Sequence, residues 1–251
     1  MKVFILAAGA GTRISRVIQG QPKCLLRING QSLISRMIER LKRFGLSDIT
    51  LVTGYKAHLI REELGDGVRY VHNPFSHVTN SIASLWFARD QLEGDALLIN
   101  GDLFFEDRLL EVVLSERRNP VMVSDSSRIE EADYRFKLEG ERIVGYGKDI
   151  SNKETDAEYV GMALIRGEIL QQYKKRLLQL VNDQRTHCWW EDVLFSLIPD
   201  GMPVFHLDIK GIFWAEVDYV EDYDRIVQWT RSLETGRGAD AGLVRTPNPA
   251  A

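Results

Sequence analysis

Residues 2–13 have the sequence KVFILAAGAGTR, in which an apolar run passes directly into two glycines. The run from Val3 to Leu6 is short and continuous, which is typical of a β-strand buried on both faces. Gly9 and Gly11 follow it, and glycine lets a backbone turn sharply or approach a neighbouring group closely. Because the run carries one lysine and leads straight into the glycines, it predicts a first strand and not a signal peptide.

Strand and helix patterns alternate after the glycines. Ser32 begins a stretch with apolar residues at helical spacing, and Gly45 ends it. Further strand and helix patterns follow in alternation at residues 49–52, 56–64, 68–71, 81–92 and 96–99. This alternation predicts an α/β protein, a three-layer sandwich with a mixed, mostly parallel sheet and helices on both faces. In such a sheet, ligands bind beyond the carboxyl ends of the strands.

The pattern changes in the second half of the chain. Short strand patterns with tight turns predict antiparallel additions to the sheet at residues 120–124, 134–138, 142–146 and 158–165. A strand is predicted at 204–207, and helices at 170–181, 191–198 and 219–233. We expect one domain over residues 1–235, with acceptor-binding additions at about 125–200. Residues 236–251 are rich in Gly, Ala, Pro and Asn, which predicts a disordered tail.

The composition excludes several classes of partner. The chain has 251 residues with a net charge of −4, so no broad positive field favours nucleic acid or an anionic membrane. It contains no apolar run of 18 residues, and we expect no membrane insertion. The two cysteines, Cys24 and Cys188, suit neither a disulfide framework nor a zinc motif, which favours reduced thiols in a cytoplasmic protein.

The glycine loop has the chemistry of a phosphate site. Gly9 and Gly11 can turn backbone N–H groups toward an anion, while Arg13 and Lys23 supply positive charge. The alternative is a tight turn with two solvated cations. A dinucleotide-binding loop would need a third glycine opening a helix, and the kinase-type phosphate loop would need Gly-Lys-Ser/Thr. Both patterns are absent from this stretch of the sequence.

The combined pattern resembles a known family. Leu-Ala-Ala-Gly-x-Gly-x-Arg, followed after about ten residues by Pro-Lys, is similar to the signature of nucleotidyltransferases that make sugar nucleotides and CDP-alcohols. The resemblance spans residues 1–230 in motif order and implies the Rossmann-like nucleotide-diphospho-sugar transferase fold. It implies that the loop wraps a triphosphate and that Lys23, with Arg13, is catalytic. The nucleotide-binding residues so implied are Leu6, Ala7, Ala8, Gly9, Ala10, Gly11, Thr12, Arg13, Lys23 and Gly101.

Two carboxylate motifs suggest a metal site. Asp102 ends an apolar strand in Asn-Gly-Asp, and alternation in an extended segment places Glu216 and Asp218 on one face. Carboxylates so placed can hold Mg²⁺ against a triphosphate. The alternatives are an exposed loop aspartate and an N-cap at Asp218. In the resemblance Asp102 and Asp218, with Glu216, bind Mg²⁺.

Residues 73–86 narrow the resemblance. The order Asn-Pro, then Thr79, Asn80 and Ser84, looks like that of bacterial choline-phosphate and 2-aminoethylphosphonate cytidylyltransferases. Small polar side chains at the start of a helix can bond a pyrimidine edge, so these three are predicted to bind the base. Helix capping by Thr79 or Asn80 is the alternative, and it explains one of them but not the pair.

Residues 187–192, HCWWED, suggest the acceptor site. Paired aromatics with two acids can hold a substituted ammonium, and in the similar enzymes such a stretch faces the acceptor's amine. The alternative is core packing by a tryptophan, with acids at a helix start. Tyr134 and Trp214 are weaker candidates for the cage. The predicted acceptor-binding residues are Tyr159, Trp189, Trp190, Glu191 and Asp192.

We therefore expect a Mg²⁺-dependent cytidylyltransferase. It would transfer CMP from CTP to a small phosphate- or phosphonate-bearing amino alcohol of the phosphocholine, phosphoethanolamine or 2-aminoethylphosphonate type. One alternative is a nucleotidyltransferase acting on a sugar 1-phosphate or polyol phosphate. Another is a nucleotide-binding regulatory module without catalysis. The sequence leaves a homodimer open.

Overall fold

The structure is a computed structural model that describes residues 1–11, 14, 18 and 20–240. Its strands are β1 (Lys2–Ala7), β2 (Arg27–Ile28), β3 (Gln31–Ser32), β4 (Ile49–Thr53), β5 (Arg69–His72), β6 (Ala96–Asn100), β7 (Leu103–Phe105), β8 (Val121–Asp125), β9 (Arg135–Glu139), β10 (Arg142–Gly147), β11 (Ala157–Ile165), β12 (Phe205–Asp208) and β13 (Trp214–Glu216). Its α-helices are α1 (Leu33–Arg43), α2 (Ala57–Leu64), α3 (Ser81–Phe87), α4 (Asp107–Ser115), α5 (Gly167–Asn182), α6 (Asp192–Phe195) and α7 (Val220–Asp240). Two predicted site residues, Thr12 and Arg13, lie outside the described residues.

Nine of the described strands form one sheet, in the order β5-β4-β1-β6-β11-β8-β12-β10-β9. Strand β1 pairs in parallel with β4 on one side and with β6 on the other. Strand β11 lies antiparallel between β6 and β8, and β10 is antiparallel to β12 and β9. In this sheet only β10 and β11 therefore run against the common direction, which confirms a mixed, mostly parallel sheet with antiparallel additions.

Alternate residues of β1 enter two different cores. Val3 and Ile5 pack with α1 and α4 on one face of the sheet, while Phe4 and Leu6 pack with α3 and α5 on the other. Successive side chains of a strand point to opposite faces, so one continuous apolar run supplies both cores. Helices on both faces of the sheet confirm the predicted three-layer sandwich.

Local signals set the bounds of α1. The Ser32 hydroxyl accepts a hydrogen bond from the Ser35 N–H at 3.2 Å, which satisfies one of the free donors at the helix start. Gly45, with a φ of +78°, follows the end of the helix in the left-handed region that suits glycine. The cap and the stop predicted from the sequence are both confirmed.

Other elements differ from the sequence prediction. Strand β7 and helix α4 were not predicted, and β13 was predicted only as an extended segment. Strands β7 and β13 pair with each other across a long sequence separation, with Leu103 opposite Glu216. Each strand has only three residues, which is too short for a recognisable local pattern. Each is stabilised by pairing with the other strand, which is distant in the sequence.

The helices near the C-terminus also differ in length. Helix α6 ends at Phe195, and a bond from the Leu197 N–H to the Leu194 carbonyl continues the chain in tighter turns. Helix α7 continues to Asp240, beyond the predicted end at 233. Residues 241–251 of the predicted tail lie outside the described residues. Neither α7 nor another described helix is long and apolar enough to cross a membrane.

The order of strands creates one switch point. The chain begins at β1, adds β4 and β5 on one side, and then returns to the other side with β6. Leu6 pairs with Asn100, and the Gly101 N–H donates to the Leu6 carbonyl at 2.9 Å. Open α/β sheets bind their ligands at such points. The fold thus places the glycine loop after β1 beside Asp102, which follows β6.

We predict that Gly101→Ala destabilises this junction. A Cβ at residue 101 would lie 2.7 Å from the Ala7 Cβ and 2.8 Å from the Leu6 carbonyl oxygen, so the two strands would have to move apart. Overpacking of this kind costs about 1–3 kcal/mol of unfolding free energy. Gly9→Ala is the matched control, because a Cβ there has no neighbour within 4 Å. Equal denaturation midpoints for the two variants would contradict this account of Gly101.

Candidate active site

Lys23 stands between two carboxylates at the switch point. Its Nζ lies 2.5 Å from Asp102 Oδ2 and 2.7 Å from Asp218 Oδ1. Burial by itself lowers the pKa of Lys23, but the charges of Asp102 and Asp218 outweigh burial and raise the pKa above its ordinary value. Lys23 is therefore fully charged at neutral pH. The structure brings together these three residues, which the sequence had singled out separately.

Three separate segments deliver these groups. Lys23 opens a short 3₁₀ turn, Asp102 follows β6, and Asp218 follows β13. The Val217 N–H donates to the Asp102 carbonyl at 3.1 Å and so ties the end of β13 to the end of β6. Gly11 has a φ of +65°, and a Cβ there would come within 2.8 Å of the Lys23 Cβ. The second glycine of the loop therefore makes room for Lys23.

Asn100, at the end of β6, connects the carboxyl groups of the site. Its Nδ2 donates to Glu216 Oε1 at 2.9 Å and to Glu191 Oε1 at 3.4 Å, while its Oδ1 accepts from Trp190 Nε1 at 2.8 Å. Sequence reasoning missed its role, although it quoted Asn100 as part of the Asn-Gly-Asp motif. A polar residue at the end of a buried strand was the signal that could have found it.

Glu216 differs from the other two carboxylates. Burial raises the pKa of Glu216 well above its ordinary value, and the nearby charge of Asp102 raises it further. The Glu216 carboxyl group accepts the hydrogen bond from Asn100 Nδ2. Asp102 and Asp218 are the two of the three predicted metal-binding carboxyl groups that contact the Lys23 ammonium, and metal binding by Glu216 stays a prediction.

The chemistry of Asp102 and Asp218 fits a divalent ion. Asp102 Oδ1 is buried and has no hydrogen-bond partner among the described residues. No group of three or more described His, Cys, Asp or Glu side chains is arranged around a common metal position. Mg²⁺, however, is usually held by only one or two carboxylates together with phosphates and water. Two carboxylates that already share the positive charge of Lys23 suit that role.

A cavity of about 200 Å³ lies beside the glycine loop. It is lined by six of the predicted nucleotide-binding residues, together with the carboxyl groups of Asp102, Glu191 and Glu216. Five other predicted residues do not belong to its lining, namely Ala7, Ala10, Gly11, Lys23 and Gly101, although Gly11 and Gly101 lie in tight contact with residues beside it. The lining consists of Leu6, Ala8, Gly9, Ser76, Thr79, Asn80, Ser81, Ser84, Asn100, Asp102, Trp189, Glu191 and Glu216.

The polar side chains predicted to bind the base bond mainly to the protein. Asn80 Oδ1 accepts from the Ser81 N–H at 2.7 Å, which is the capping alternative. Thr79 donates to the Phe75 carbonyl at 2.8 Å, and Ser84 Oγ accepts from Asn73 Nδ2 at 2.9 Å. These contacts fix the wall of the cavity and the start of α3. Ser76 and Ser81 also line the cavity, and sequence reasoning did not select them.

A second cavity of about 220 Å³ adjoins the first. Aromatic rings form part of its wall, with the Tyr134 ring centroid 5.8 Å from Trp189 and 6.0 Å from Tyr159. The two cavities share four lining residues, so their contents would meet at a common wall. The lining of the second cavity is Asn100, Asp133, Tyr134, Lys148, Tyr159, Trp189, Glu191, Glu216 and Asp218.

The predicted acceptor residues divide into two groups. Tyr159, Trp189 and Glu191 line the second cavity. Trp190 is fully buried and serves the core, since its indole N–H binds Asn100. Asp192 accepts from the Trp189 N–H at 2.8 Å at the start of α6, which is the helix-start alternative.

Four further residues lie in or near the acceptor cavity or were predicted to do so. Tyr134, a weaker candidate, lines the second cavity, whereas Trp214 is buried and donates to Asp125. Asp133 and Lys148 also line this cavity and were missed. They lie in loops whose sequence carries no motif, so only the packing of the chain reveals them.

Glu191 is a buried carboxyl group between the two cavities. Burial raises its pKa to about 8, and the charge of Asp192 acts in the same direction. Its Oε2 has no hydrogen-bond partner among the described residues. Glu191 is therefore largely protonated at neutral pH, in the absence of a cation beside it.

We predict that Glu191 makes stability fall as pH rises. The folded chain keeps the Glu191 proton up to about pH 8, whereas the unfolded chain releases it near the ordinary pKa of 4.5. Unfolding therefore releases a proton between these values, and stability is lost across that window. Glu191→Gln removes this term, so the Tm of the variant should gain on that of the wild type from pH 5 to pH 8. Tm profiles of Glu191→Gln and the wild type that run parallel from pH 5 to pH 8 would contradict this prediction. Glu221→Gln, on the exposed start of α7, is the control.

Together, the switch point, the glycine loop and the charged centre define an α/β nucleotide-binding protein of the transferase type. Residues 3–184 match the family described as MobA-like NTP transferase domain. The chain belongs to this family of nucleotidyltransferases.

Comparison with individual proteins agrees with the family. CMP-5'-(3-aminopropyl)phosphonate synthase of Streptomyces rubellomurinus is 31% identical over 116 residues, and this match covers 44% of this chain and 18% of that protein. Choline-phosphate cytidylyltransferase of Streptococcus pneumoniae is 23% identical over 236 residues, 90% of this chain and 96% of that protein. A solved CTP:phosphocholine cytidylyltransferase from the same organism has a TM-score of 0.72 at 20% identity, covering 91% of this chain and 98% of that one. The structural likeness confirms the Rossmann-like fold.

Proposed function

We propose that the chain is a Mg²⁺-dependent cytidylyltransferase that transfers CMP from CTP to a small amino alcohol bearing a phosphate or phosphonate. The observation that carries the proposal is the pair of adjoining cavities, one lined by Asp102 and the other by Asp218, the two carboxylates that Lys23 joins. One cavity adjoins the glycine loop, and the other has aromatic and acidic walls. The names of the relatives, which include cytidylyltransferases acting on choline phosphate, support CTP and an amine-bearing acceptor.

The reaction is an in-line displacement. An acceptor oxygen forms a bond to the α-phosphorus of CTP, and the bond from that phosphorus to the bridging oxygen of pyrophosphate breaks. The acceptor phosphate is already anionic at neutral pH, so no general base is needed. The protein contributes positioning and neutralisation of charge. The site agrees with this mechanism, because Lys23, Asp102 and Asp218 lie at its centre and a direct displacement requires no activated nucleophile of the protein.

The residues divide these tasks. The backbone from Gly9 to Gly11 approaches the phosphates, and Lys23 stabilises charge on them, with Arg13 as a second cation. Asp102 and Asp218 would hold Mg²⁺, which when bound neutralises phosphate charge and orients the triphosphate. Lys23 would then exchange its two carboxylate contacts for phosphate oxygens. Tyr159, Trp189 and Glu191 surround the amine of the acceptor.

Other acceptors and a silent module are the alternatives. A sugar 1-phosphate or polyol phosphate needs side chains that bond hydroxyl groups, whereas this cavity combines aromatic rings with carboxyl groups. A regulatory module without catalysis has no need for a lysine placed between two carboxylates. The cavity and the centre therefore favour an enzyme with an amine-bearing acceptor.

We predict that Lys23→Ala lowers kcat by roughly 10²-fold or more, because a group that stabilises transition-state charge is lost. Pyrophosphate release with saturating CTP and acceptor is the measurement. Lys175→Ala, on the exposed surface of α5, should leave kcat unchanged and controls for the loss of a lysine. Near-normal turnover in Lys23→Ala would remove Lys23 from the mechanism.

We also predict the substrates. CTP should give pyrophosphate with phosphocholine, phosphoethanolamine or 2-aminoethylphosphonate, and the rate should fall to background with chelator and return with Mg²⁺. The comparison panel replaces CTP by UTP, dTTP or GTP, and it replaces the acceptor by glucose 1-phosphate or a polyol phosphate. Release with sugar 1-phosphates alone would refute the proposed acceptor class, and no release with any pair would favour the silent module.

A further inference from the structure

A lysine of the chain already lies inside the acceptor cavity. Lys148 Nζ is 2.6 Å from Asp133 Oδ2 and 5.8 Å from the centroid of the Trp189 ring. Among the described residues that line this cavity, Lys148 is the single Lys or Arg. The part of the cavity where an aromatic ring and a carboxylate could receive an ammonium therefore contains the chain's own ammonium.

Lys148 lines the acceptor cavity but not the nucleotide cavity. The wall shared by the two cavities consists of Asn100, Trp189, Glu191 and Glu216, and transfer between their contents has to occur along it. Lys148 lines the acceptor cavity alone, as do Asp133 and Tyr134. Lys148 and Asp133 are therefore placed to contact an acceptor and not the nucleotide.

Secondary structure fixes the position of Asp133 more firmly than that of an ordinary loop residue. The Asp133 N–H donates to Glu158 Oε1 at 3.0 Å, and the next carbonyl, that of Tyr134, accepts from the Tyr159 N–H at 2.8 Å. Lys148 directly follows β10, which pairs with β9. Strands thus hold the backbone of both partners, while their side chains stay free to change partners.

The Lys148–Asp133 pair can open at little cost. The two side chains are 37% and 54% exposed, and water screens an ion pair at such a surface. An acceptor with only an ammonium would compete with Lys148 for Asp133 and bring a like charge beside it. An acceptor with both an ammonium and a carboxylate would give Asp133 and Lys148 one partner each.

Resting on the proposed cytidylyltransferase function, we propose that Lys148 and Asp133 select an acceptor that carries a carboxylate beside its ammonium, at the end remote from the phosphate. Such an acceptor is a phosphorylated amino acid or a close analogue. Lys148 binds its carboxylate, Asp133 binds its ammonium, and the aromatic walls enclose the carbon chain between them.

O-phosphoserine and O-phosphoethanolamine test this inference, because they differ only by the carboxylate. With CTP, kcat/KM from pyrophosphate release should be higher for phosphoserine in the wild type. Lys148→Met should lower the ratio of the two kcat/KM values by roughly ten- to a hundredfold, mainly through the KM for phosphoserine, since one charge-assisted hydrogen bond is lost. Lys148→Arg should keep the preference. Lys153→Met, an exposed lysine of the neighbouring turn, should keep the wild-type ratio and rates.

The outcomes separate the two proposals. Higher kcat/KM for phosphoethanolamine in the wild type would overturn the selection and leave the cytidylyltransferase function standing. An equal loss for both acceptors in Lys148→Met would show that Lys148 contacts the phosphate, which also overturns it. No pyrophosphate with any acceptor would refute the function itself, and the inference with it. Quenching of Trp189 fluorescence by phosphoserine, weakened in Lys148→Met, is the expected binding signal without turnover, and unchanged quenching would count against the selection.

Discussion

The contact of Lys23 with Asp102 and Asp218 is the interaction on which the site depends. Two carboxylates this close would repel each other, and the lysine between them removes that cost. The contact also joins three segments that follow different parts of the fold. The 3₁₀ turn that begins at Lys23, the end of β6 and the end of β13 are therefore held in one place by a single positive charge. The same charge is then available for a triphosphate.

A network of hydrogen bonds joins the two cavities. Trp190 binds Asn100 through its indole and the Ser81 hydroxyl through its backbone N–H, so one buried residue touches a wall of each. The chain around it runs along the start of α3, where the Asn80 N–H donates to the Thr186 carbonyl at 2.8 Å. The segment that carries Trp189 is consequently anchored to the helix that borders the nucleotide cavity. This arrangement can hold the two substrates in a fixed relation, which is what transfer between them requires.

Elements with strong local patterns were predictable from the sequence. Strand β1 is one, because a short apolar run followed by glycines is typical of a strand buried on both faces. Helix α1 is another, with Ser32 and Gly45 at its ends. Strands β7 and β13 were harder, since they are stable only through each other. A strand of three residues is too short to show the alternation of apolar and polar residues by which strands are predicted.

The sequence by itself determined the glycine loop, Lys23 and the carboxylates at the strand ends, because their chemistry is specific and each follows a recognisable element. Only the tertiary structure decided which neighbours work together. Trp189 and Trp190 are adjacent and chemically identical, yet one lines a cavity and the other fills the core. The position of Lys148 and Asp133 in the acceptor cavity was likewise decided by the tertiary structure, since they lie in separate loops that meet only when the strands pair. The physical reason is that local sequence sets backbone conformation, whereas the direction and neighbours of a side chain are set by packing between distant segments.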